Sequence, residues 1–536
     1  MKQSPARTSA WSPFQYQVFR ALWIAQFVSN IGTWMQSVGA VWLMLQLKGS
    51  PALVALVQTA SALPVVIVGI AAGALADLVD RRRLLIVSQL AMMVAAGALA
   101  IFSGVGRTNA ALLLGLTFAL GLGAALNGPA WQAIQPDLVP REEFQQAVTL
   151  GGASINLGRA LGPALGGLII AVSGPWVVFL LNAVSFGAVV VVLWGWRRTA
   201  EEPVGPSERF VGAVRAGLRY ALFSRELFGV FAREGAFSLA GAGLLALLPV
   251  YATSVLGLGS KGLGIMLAWY GAGAVLAAWA LPRVRISLGN NGVVSAGTVL
   301  MAAAMALMAL FHELAFAFAM TFIAGVGWLL CFSTFNYSTQ AALPGWVRAR
   351  GLALYLTMAQ GGLAVGAVVW GRLANAVGVA ATFGWGALAV ALTLVLMVRW
   401  RIPASGAQDL SPSPLAAADA RLSPDDTSGP VLVLLGYEVA PDAEDDFLEA
   451  LSALGRARRR TGAVQWSVYR DAERPHRFME TYVVPTWEEH IRQHGRRTAQ
   501  DAAAQERVRQ FVLPGTEPTV EHYLAVRRPA GRRNSR

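Results

Sequence analysis

The chain has 536 residues, of which 55% are hydrophobic and only 14% are charged. Soluble domains carry about a quarter charged residues, so this composition excludes an ordinary soluble protein and indicates a membrane protein. The formal net charge of +13 does not indicate a nucleic-acid partner, because the basic residues cluster at the ends of apolar segments.

Apolar segments of about 20 residues, the length that crosses a bilayer as a helix, recur from Leu22 to Trp400. A lipid-facing backbone must satisfy its hydrogen bonds within the segment, and the alternation of a barrel strand is absent, so helices are predicted. The predicted spans are 19–46, 52–76, 84–104, 109–136, 145–172, 175–195, 227–255, 261–282, 292–311, 314–342, 350–376 and 379–400.

The longest polar break inside the membrane region, which begins "WGWRRTAEEPVGPSERF", divides these spans six and six. An internal repeat supports the division, because "QAIQPDLV" from Gln132 aligns with "QAALPGWV" from Gln340 at an offset of 208 residues. Paired halves are typical of transporters that rock around a central site. We therefore predict an all-α polytopic membrane protein with twelve transmembrane helices in two six-helix halves.

The distribution of basic residues predicts the orientation. If both termini are cytoplasmic, most loop arginines lie inside and only Lys48, Arg107 and Lys261 lie outside, as the positive-inside rule requires. The predicted location is the inner membrane of a bacterium. The first apolar run is too long for a signal peptide and is expected to remain as the first span. Cys331 is the single cysteine and is predicted to be a packing residue.

Beyond Arg401 the composition changes to Ser, Pro, Ala and Asp, which is typical of a flexible linker. From Val431 the predicted order is strand, helix, two strands, helix and strand, which indicates a small C-terminal α+β ferredoxin-like domain. The predicted organisation is a cytoplasmic N-terminal segment (1–18), a six-helix half (19–196), a central cytoplasmic loop (197–226), a second six-helix half (227–401), a flexible linker (402–428), a cytoplasmic ferredoxin-like domain (429–528) and a basic disordered tail (529–536).

Residues 73–85 read "GALADLVDRRRLL", between spans 2 and 3. Glycine there permits close helix approach, aspartate accepts hydrogen bonds from a helix N-terminus, and arginine pairs with acidic groups in one conformation only. The stretch resembles the gating motif of the major facilitator superfamily, with Asp80 in place of the usual glycine. The resemblance implies a cytoplasmic latch formed by Gly73, Asp77, Arg81, Arg82 and Arg83. A positive-inside cluster without a gating role is the alternative.

In span 5, small residues recur every fourth position from Ser154 and line one helix face, which permits close helix contact. The stretch resembles the G-x-x-x-G-P-x-x-G-G element of the superfamily's drug exporters, which implies export. The matching residues are Gly158, Gly162, Pro163, Gly166 and Gly167. Generic tight packing is the alternative.

Polar side chains inside the spans are candidates for a substrate cavity or a coupling site. In span 1, four of them share one helix face, which must face protein or water, and interhelical hydrogen bonding is the alternative. These four are Gln26, Asn30, Thr33 and Ser37. The other uncharged candidates are Asn127, Gln132, Asn336, Gln340 and Gln360.

Charged residues inside spans cost about 2.5 to 3.5 kcal/mol each on insertion scales and therefore indicate function. Glu234 is the best candidate for carrying a proton, and pairing of Arg233 and Glu234 with neighbours at a helix mouth is the alternative. Arg159 is predicted to bind an anionic group of the substrate or a carboxylate. Span 1 lacks the carboxylate found in many proton-coupled exporters, which leaves the coupling mechanism open.

The tail contains "TWEEHIRQHGRRTAQD", in which His490 and His494 are one helical turn apart. No third ligand has a suitable spacing, so no metal site is predicted, and packing or contact across a dimer is expected instead. The arginines of this stretch are placed to touch anionic lipid headgroups. The candidate residues of this domain are Trp466, Trp487, His490, Arg492 and His494.

The segments "WIAQFVSNIGTWMQSVGAVWLM", "WVRARGLALYLTMAQGG" and "RTGAVQWSVYRD" complete a resemblance to the transmembrane secretion effector family, which is related to the enterobactin exporters. This resemblance covers about Phe14 to Leu524. The tail also resembles the small antibiotic-biosynthesis monooxygenases, which usually dimerise. That likeness implies dimerisation through the C-terminal domain, but oxygenase activity is not carried over because no cofactor motif is present.

Together these features predict a secondary active transporter that exports a siderophore, antibiotic or drug-like molecule by alternating access and proton antiport. Neither a P-loop nor a cofactor motif is present, so direct use of ATP is not expected. The expected partners are a small-molecule substrate, protons and the lipid bilayer. The alternatives are an importer with the same fold, and a transporter whose C-terminal domain is an enzyme that acts on the cargo.

Overall fold

The structure, a computed structural model, describes residues 11–140, 143–196, 210–402, 409–413 and 428–525. The chain divides into two compact units. The helical unit comprises residues 1–207, 230–337 and 353–402, and the α+β unit comprises residues 208–229, 338–352 and 403–536. The α+β unit therefore contains more than the predicted C-terminal domain.

Apolar helices account for most of the chain up to Arg399, because a helix satisfies the backbone hydrogen bonds of each apolar run internally. Several helices begin at a side-chain cap: Ser50, Asp80 and Asn109 each accept a hydrogen bond from the amide three residues later. The helices are α1 (Gln17–Gln46), α2 (Pro51–Leu78), α3 (Arg81–Gly104), α4 (Ala110–Ile134), α5 (Phe144–Ser173), α6 (Pro175–Gly195), α7 (Phe210–Phe223), α8 (Arg225–Val250), α9 (Ser260–Leu310), α10 (Leu314–Ala341), α11 (Arg348–Val377), α12 (Val379–Leu392) and α13 (Leu396–Arg399).

Within the described residues, 10 helices are long and apolar enough to cross a membrane, whereas the sequence predicts twelve spans. Helix α9 has 51 residues and covers the predicted spans 261–282 and 292–311, with an interruption of helical geometry at Gly289 (φ 64°, ψ 174°). Helix α1 covers the predicted span 19–46 but is not one of the 10, since its polar residues lower its mean hydropathy. The chain is thus a multi-pass membrane protein, and the number twelve stays a prediction.

The C-terminal part of the α+β unit has the predicted order of strands and helices. It contains β1 (Val431–Glu438), α14 (Glu444–Thr461), β2 (Gln465–Arg470), β3 (Arg477–Val484), α15 (Trp487–Gly495), α16 (Ala499–Arg509) and β4 (Thr519–Leu524). The sheet is antiparallel with the strand order β2-β3-β1-β4. Alternate residues of β1, such as Val433 and Leu435, are buried in one core with Phe447 and Leu451 of α14. This is the ferredoxin-like arrangement expected from the sequence.

Two segments differ from the sequence prediction. The central loop predicted at 197–226 contains helix α7, which packs against α14 within the α+β unit. Tyr220 and Ala221 of α7 are buried, whereas Leu218 and Leu222 are exposed. The predicted linker also contains an ordered stretch, because residues 409–413 form backbone hydrogen bonds with residues 497–500.

Candidate functional site

The gating motif lies where α2 ends and α3 begins. The carboxylate of Asp80 caps α3 by accepting a hydrogen bond from the Arg83 amide at 2.8 Å, which explains why aspartate is suitable where glycine was expected. Arg82 donates hydrogen bonds from Nε to the carbonyl oxygen of Leu193 at 2.7 Å and from Nη2 to that of Trp194 at 2.9 Å, at the C-terminus of α6. Arg82 therefore joins two helices of the helical unit.

The contacts predicted for Gly73 and Asp77 of the latch are not observed among the described residues. A Cβ atom on Gly73 would meet no heavy atom of the described residues within 4 Å, so the expected close helix approach at Gly73 is absent in this conformation. The side chain of Asp77 lies outside the described residues. The latch therefore stays a prediction.

The glycines of the export motif bring α5 into close contact with two helices. A Cβ on Gly158 would lie 3.0 Å from Asn30 Cβ, and one on Gly162 would lie 2.9 Å from the carbonyl oxygen of Ile31, both on α1. A Cβ on Gly167 would lie 2.7 Å from the Cα of Gly264 on α9. Glycine is therefore required by packing on two sides of α5. Gly166 contacts α1 in the same way, one turn beyond Gly162, and Pro163 lies within the helix.

The polar stripe of α1 is partly used in hydrogen bonds. Gln26 donates to Asn30 Oδ1 at 3.1 Å, and Asn30 donates to the hydroxyl of Ser154 on α5 at 2.9 Å. Ser37 donates to the carbonyl oxygen of Thr33 at 3.0 Å, and both of these residues are exposed. The stripe thus combines contacts between helices, near its start, with an accessible polar surface near its end.

The accessible polar surface of α1 lies on a different side of the helix from its accessible apolar surface. Ile24 and Val28 are exposed large apolar residues, as expected for a lipid-facing side. Thr33 follows Val28 by five residues, which is roughly 140° around a helix axis. An exposed polar side chain turned away from the lipid side must face water. Thr33 and Ser37 are therefore placed as residues of an aqueous cavity would be.

Other polar pairs lie inside the helical unit. Asn127 of α4 accepts a hydrogen bond from Gln89 of α3 at 3.0 Å. Gln36 of α1 accepts a hydrogen bond from Asn182 of α6, and both side chains are buried. This second pair was not predicted, although an asparagine inside the apolar run of span 6 is a signal that the sequence contains.

The remaining uncharged candidates differ in exposure. Gln132 and Gln340 are exposed, whereas Asn336 and Gln360 are partly buried. Asn336 belongs to the helical unit and Gln340 to the α+β unit, although both are on α10. Among the described contacts, neither Gln132 nor Gln360 forms a hydrogen bond with the polar stripe of α1.

Arg159 of α5 is a partly buried cation in the helical unit. Its guanidinium lies over the ring of Trp34 on α1, 5.2 Å from the ring centroid, which is within the range of cation–π interactions. Its Nε is buried and has no hydrogen-bond partner among the described residues. The hydroxyl of Tyr270 on α9, which interacts electrostatically with Arg159, is also buried and without a partner there.

Arg233 and Glu234 of α8 have separate environments. Arg233 donates from Nη1 to Asn291 Oδ1 at 3.0 Å and to the carbonyl oxygen of Trp400 at 3.2 Å. Glu234 is fully buried and accepts one hydrogen bond, from the hydroxyl of Ser238 at 2.8 Å. Its other carboxylate oxygen has no partner among the described residues. Arg233 thus pairs with two neighbouring acceptors, whereas Glu234 pairs through only one of its two oxygens.

A buried glutamate organises the core of the α+β unit. Glu480 accepts hydrogen bonds from the hydroxyl of Tyr437 at 2.9 Å, from Nε1 of Trp466 at 3.0 Å and from Nε of Arg458 at 3.4 Å. The Glu480 side chain is fully buried. Three donors, one of them charged, offset the cost of removing the carboxylate from water. Trp466, a candidate site residue, is thus a structural donor.

Three histidines lie close together in the α+β unit. The ring centroid of His490 is 4.6 Å from that of His494 and 4.8 Å from that of His522 on β4. The sequence did not indicate His522, because it follows on a distant strand. Within the described ranges, no group of three or more His, Cys, Asp or Glu side chains is placed to hold a metal ion.

The environment of His490 disfavours its charged form. Its side chain is fully buried beside Trp487, with a ring centroid distance of 5.3 Å, and neither ring nitrogen has a hydrogen-bond partner in the described part of the chain. Burial, followed by the charges of His494, His522 and Arg458, lowers the pKa of His490 to about 3. His490 is therefore neutral at physiological pH.

A second charged cluster joins α7 and α15 within the α+β unit. Glu489 accepts hydrogen bonds from Arg219 of α7 at 2.8 Å and from Arg496 at 2.6 Å. Burial alone raises the pKa of Glu489, but hydrogen bonds and charges from Arg496 and Arg219 outweigh burial and hold the pKa below its usual value. The guanidinium of Arg496 also lies 4.7 Å from the ring centroid of Trp346. Arg492 pairs with Glu488 one turn earlier, at the surface.

Comparison with known proteins places this fold in a family. Residues 8–530 match the transmembrane secretion effector family. The Staphyloferrin A transporter of Staphylococcus aureus is 23% identical over 374 residues, 69% of this chain and 93% of that protein. The multidrug efflux pump Tap of Mycolicibacterium fortuitum is 28% identical over 389 residues, 70% of this chain and 92% of that protein.

A solved structure shows the same fold. It is a bacterial homolog of the human lysosomal transporter Spinster in an inward-facing and occupied conformation, with a TM-score of 0.54 and 16% identity over 72% of this chain and 95% of that chain. At this level of identity the likeness concerns the fold alone. The family match covers nearly the whole chain, and this protein therefore belongs to the transmembrane secretion effector family of major facilitator transporters.

Proposed function

We propose that this protein is a secondary active transporter that exports a small organic molecule across the bacterial inner membrane by alternating access. The match of residues 8–530 to the transmembrane secretion effector family carries the proposal. The relative named as an efflux pump supports the outward direction, as does the resemblance of the α5 motif to the element of drug exporters.

The proposed membrane region has twelve spans in two six-helix halves. Division of α9 at Gly289 and inclusion of α1 add two spans to the 10 apolar helices. A glycine of positive φ joins α5 to α6 at Gly174 (φ 83°) and α11 to α12 at Gly378 (φ 85°), the corresponding joints of the two halves. This similarity supports the internal repeat and the proposed boundaries at 19–196 and 227–401.

The proposed orientation has both termini in the cytoplasm. Residues 208–229, 338–352 and 403–536 form one compact unit. Segments of one compact unit lie on the same side of a membrane, so the central loop, the loop before α11 and the C-terminal domain share a side. The arginine-rich loops favour the cytoplasm for that side.

We assign proton coupling to Glu234. The carboxylate is fully buried and has one unpartnered oxygen among the described contacts, and no described cation pairs with it. A charge without a counter-charge inside a membrane is costly, so gain and loss of a proton at this position respond strongly to access to water. Alternating access would supply that change of access.

The transport assay uses everted membrane vesicles from cells that produce the protein. We expect norfloxacin, a fluorescent drug-like molecule that carries a carboxylate, to accumulate in energised vesicles, because an exporter moves cargo from the former cytoplasmic side into the vesicle lumen. Dissipating the proton gradient should abolish accumulation, and vesicles without the protein are the control. Accumulation only in right-side-out vesicles would identify an importer instead.

The α+β unit is proposed to act in assembly. On the sheet face opposite α14, Leu432 and Met479 are partly accessible and Tyr523 is 50% exposed. An accessible apolar sheet face is typical of a surface that pairs with a second copy. We expect Tyr523→Glu to reduce the mass of the purified full-length protein, measured by light scattering. Val520→Glu, which alters an equally exposed residue on the opposite face of β4, is the matched control.

A further inference from the structure

The strongest unassigned feature of the helical unit is the surroundings of Arg159. Three helices contribute: α5 carries Arg159, α1 carries Trp34, and α9 carries Tyr270. The guanidinium lies over the Trp34 ring at 5.2 Å from its centroid, so the ring fixes the position of the cation. A guanidinium that stacks through its face still has its N–H groups available at its edge.

Arg159 has no counter-ion in the described part of the chain. None of the ion pairs within it involves Arg159, and its Nε is buried without a hydrogen-bond acceptor. The hydroxyl of Tyr270 on α9 is a second buried donor without a partner there, and it lies near enough to Arg159 for the two groups to interact electrostatically. The Arg159 N–H and the Tyr270 O–H lack hydrogen-bond acceptors, and the Arg159 charge lacks an anion. An anionic group that accepts hydrogen bonds would satisfy all three.

We propose that Arg159 and Tyr270 bind a carboxylate of the transported molecule, with Trp34 as the residue that positions Arg159. Guanidinium binds carboxylate through two parallel N–H···O bonds, and the tyrosine hydroxyl supplies a third donor. The cargo therefore carries a carboxylate. This assignment rests on the proposed transport function, and it adds the chemical class of the substrate.

The position of the site explains how binding is linked to conformation. In the proposed arrangement α5 belongs to the first half of the helical unit and α9 to the second. A carboxylate held by both helices gains its full set of hydrogen bonds only while the two halves are close at this point. A ligand shifts a conformational equilibrium only if its affinity differs between the two states, and bonds from both halves provide such a difference.

The test measures binding, so it does not depend on the direction of transport. The full-length protein is purified and reconstituted in nanodiscs of phosphatidylcholine, and its thermal unfolding is followed as benzoate is added. Benzamide, which has nearly the same shape without the charge, is the matched probe, and sodium chloride at equal ionic strength controls for salt. We expect benzoate to raise the unfolding temperature in a saturable way and benzamide to have no effect.

Variants identify the residues. We expect Arg159→Gln to weaken benzoate binding by at least about tenfold and Tyr270→Phe by about three- to tenfold, in keeping with the loss of charged and neutral hydrogen bonds. Arg107→Gln, which alters an exposed arginine, should bind benzoate as the unaltered protein does. If Arg159→Gln does not fold, Tyr270→Phe and Arg159→Lys measure the same site, because lysine cannot form the bidentate contact.

Three results would overturn the proposal. The first is equal stabilisation by benzoate and benzamide, and the second is benzoate binding that is unchanged in Arg159→Gln. The third concerns an anionic lipid headgroup as the source of the anion. If phosphatidylglycerol in the nanodisc stabilises the protein through Arg159 while benzoate does not, the site binds lipid and the cargo assignment is wrong. Specific benzoate binding without norfloxacin accumulation in vesicles would instead leave the site intact and refute the transport function.

Discussion

Buried charges are treated differently in the two units. In the α+β unit, Glu480 accepts three hydrogen bonds and Glu489 pairs with two arginines. In the helical unit, Arg159 and Glu234 each retain a buried polar atom without a partner among the described residues. Charges that are fully paired hold a structure together, whereas an unpaired buried charge is tolerated where it binds something else. The comparison therefore separates structural from functional charges.

The largest effect that we expect is a loss of stability of the α+β unit when its fully paired Glu480 is replaced. Replacing Glu480 with glutamine leaves the nearby Arg458 guanidinium, whose side chain is 12% exposed, without its anionic partner. Breaking a buried pair in this way costs about 3 to 5 kcal/mol. Hydrogen exchange of β1 and β3 amides in the full-length protein should accelerate by at least about a hundredfold, which corresponds to about 3 kcal/mol.

The matched control for Glu480→Gln is Glu506→Gln. The carboxylate of Glu506 is 65% exposed and lies 3.9 Å from Arg509 in a surface pair. Exposed pairs contribute between about 0 and 1 kcal/mol. Equal exchange rates in the two variants would contradict the view that paired charges stabilise the α+β unit.

Replacement of Glu234 tests whether the incompletely paired charges of the helical unit serve transport. Glutamine keeps the shape of a protonated carboxyl and the hydrogen bond from Ser238 but cannot release a proton, so Glu234→Gln should fold normally and lose transport driven by a proton gradient. We expect uphill accumulation of norfloxacin to fall by at least about tenfold, because each charge crossing contributes about 2.3 kcal/mol per 100 mV. Downhill exchange of the same cargo should persist.

Glu313→Gln is the control for Glu234→Gln, because Glu313 is exposed between α9 and α10. If both variants transport normally, Glu234 is not the proton carrier. If Glu234→Gln unfolds, its carboxylate belongs with the structural charges of the α+β unit and the comparison between the units fails.

The sequence was sufficient for a multi-pass helical membrane region and for the order of strands and helices in the C-terminal domain. Long apolar runs and short apolar segments predicted these elements, because such patterns are local. Contacts between distant segments were not predictable: Gln36 with Asn182, Tyr437 with Glu480, and His490 with His522. A single sequence contains no signal for such pairs, because each partner is set by tertiary packing.

Two local features were not recognised in the sequence: helix α7 and the role of Asp80 as a helix cap. The segment that forms α7 is short and amphipathic, and its apolar side is buried only by α14, so it resembled a polar loop. Asp80 was judged against the expected glycine, although aspartate directly before a helix is a common N-cap. The sequence indicated charges inside the spans at Arg159 and Glu234, but only the structure shows that each has a buried polar atom without a partner among the described residues.

A smaller effect is expected from His490, which makes the stability of the α+β unit depend on pH. Unfolded histidine binds a proton near pH 6.5, whereas His490 in the folded α+β unit has a pKa of about 3. The unfolded state therefore binds more protons between these values, and this contribution to stability is present above pH 6.5 and is lost as the pH falls towards 3. The slope is at most about 1.4 kcal/mol per pH unit.

We expect His490→Phe to remove this part of the pH dependence, measured as hydrogen exchange of β4 amides between pH 7 and pH 5 after correction for intrinsic rates. His476→Gln, which alters an exposed histidine of the turn before β3, should leave the profile unchanged. A profile that is identical in the unaltered protein and in His490→Phe would mean that the buried imidazole does not titrate with folding.

The smallest effect that we expect is at the contact between α7 and α15. Arg219→Gln removes one of the two cations that pair with Glu489, while Arg496 retains its hydrogen bonds to that carboxylate at 2.6 and 3.1 Å. One charged hydrogen bond at a partly buried position contributes about 1 to 2 kcal/mol, so exchange of α7 amides should accelerate by about five- to thirtyfold. Arg215→Gln alters an exposed arginine of the same helix and is the control. If α7 exchanges equally fast in both variants, the ion pair contributes nothing measurable there, and the rule that paired charges stabilise the α+β unit holds only for its buried core.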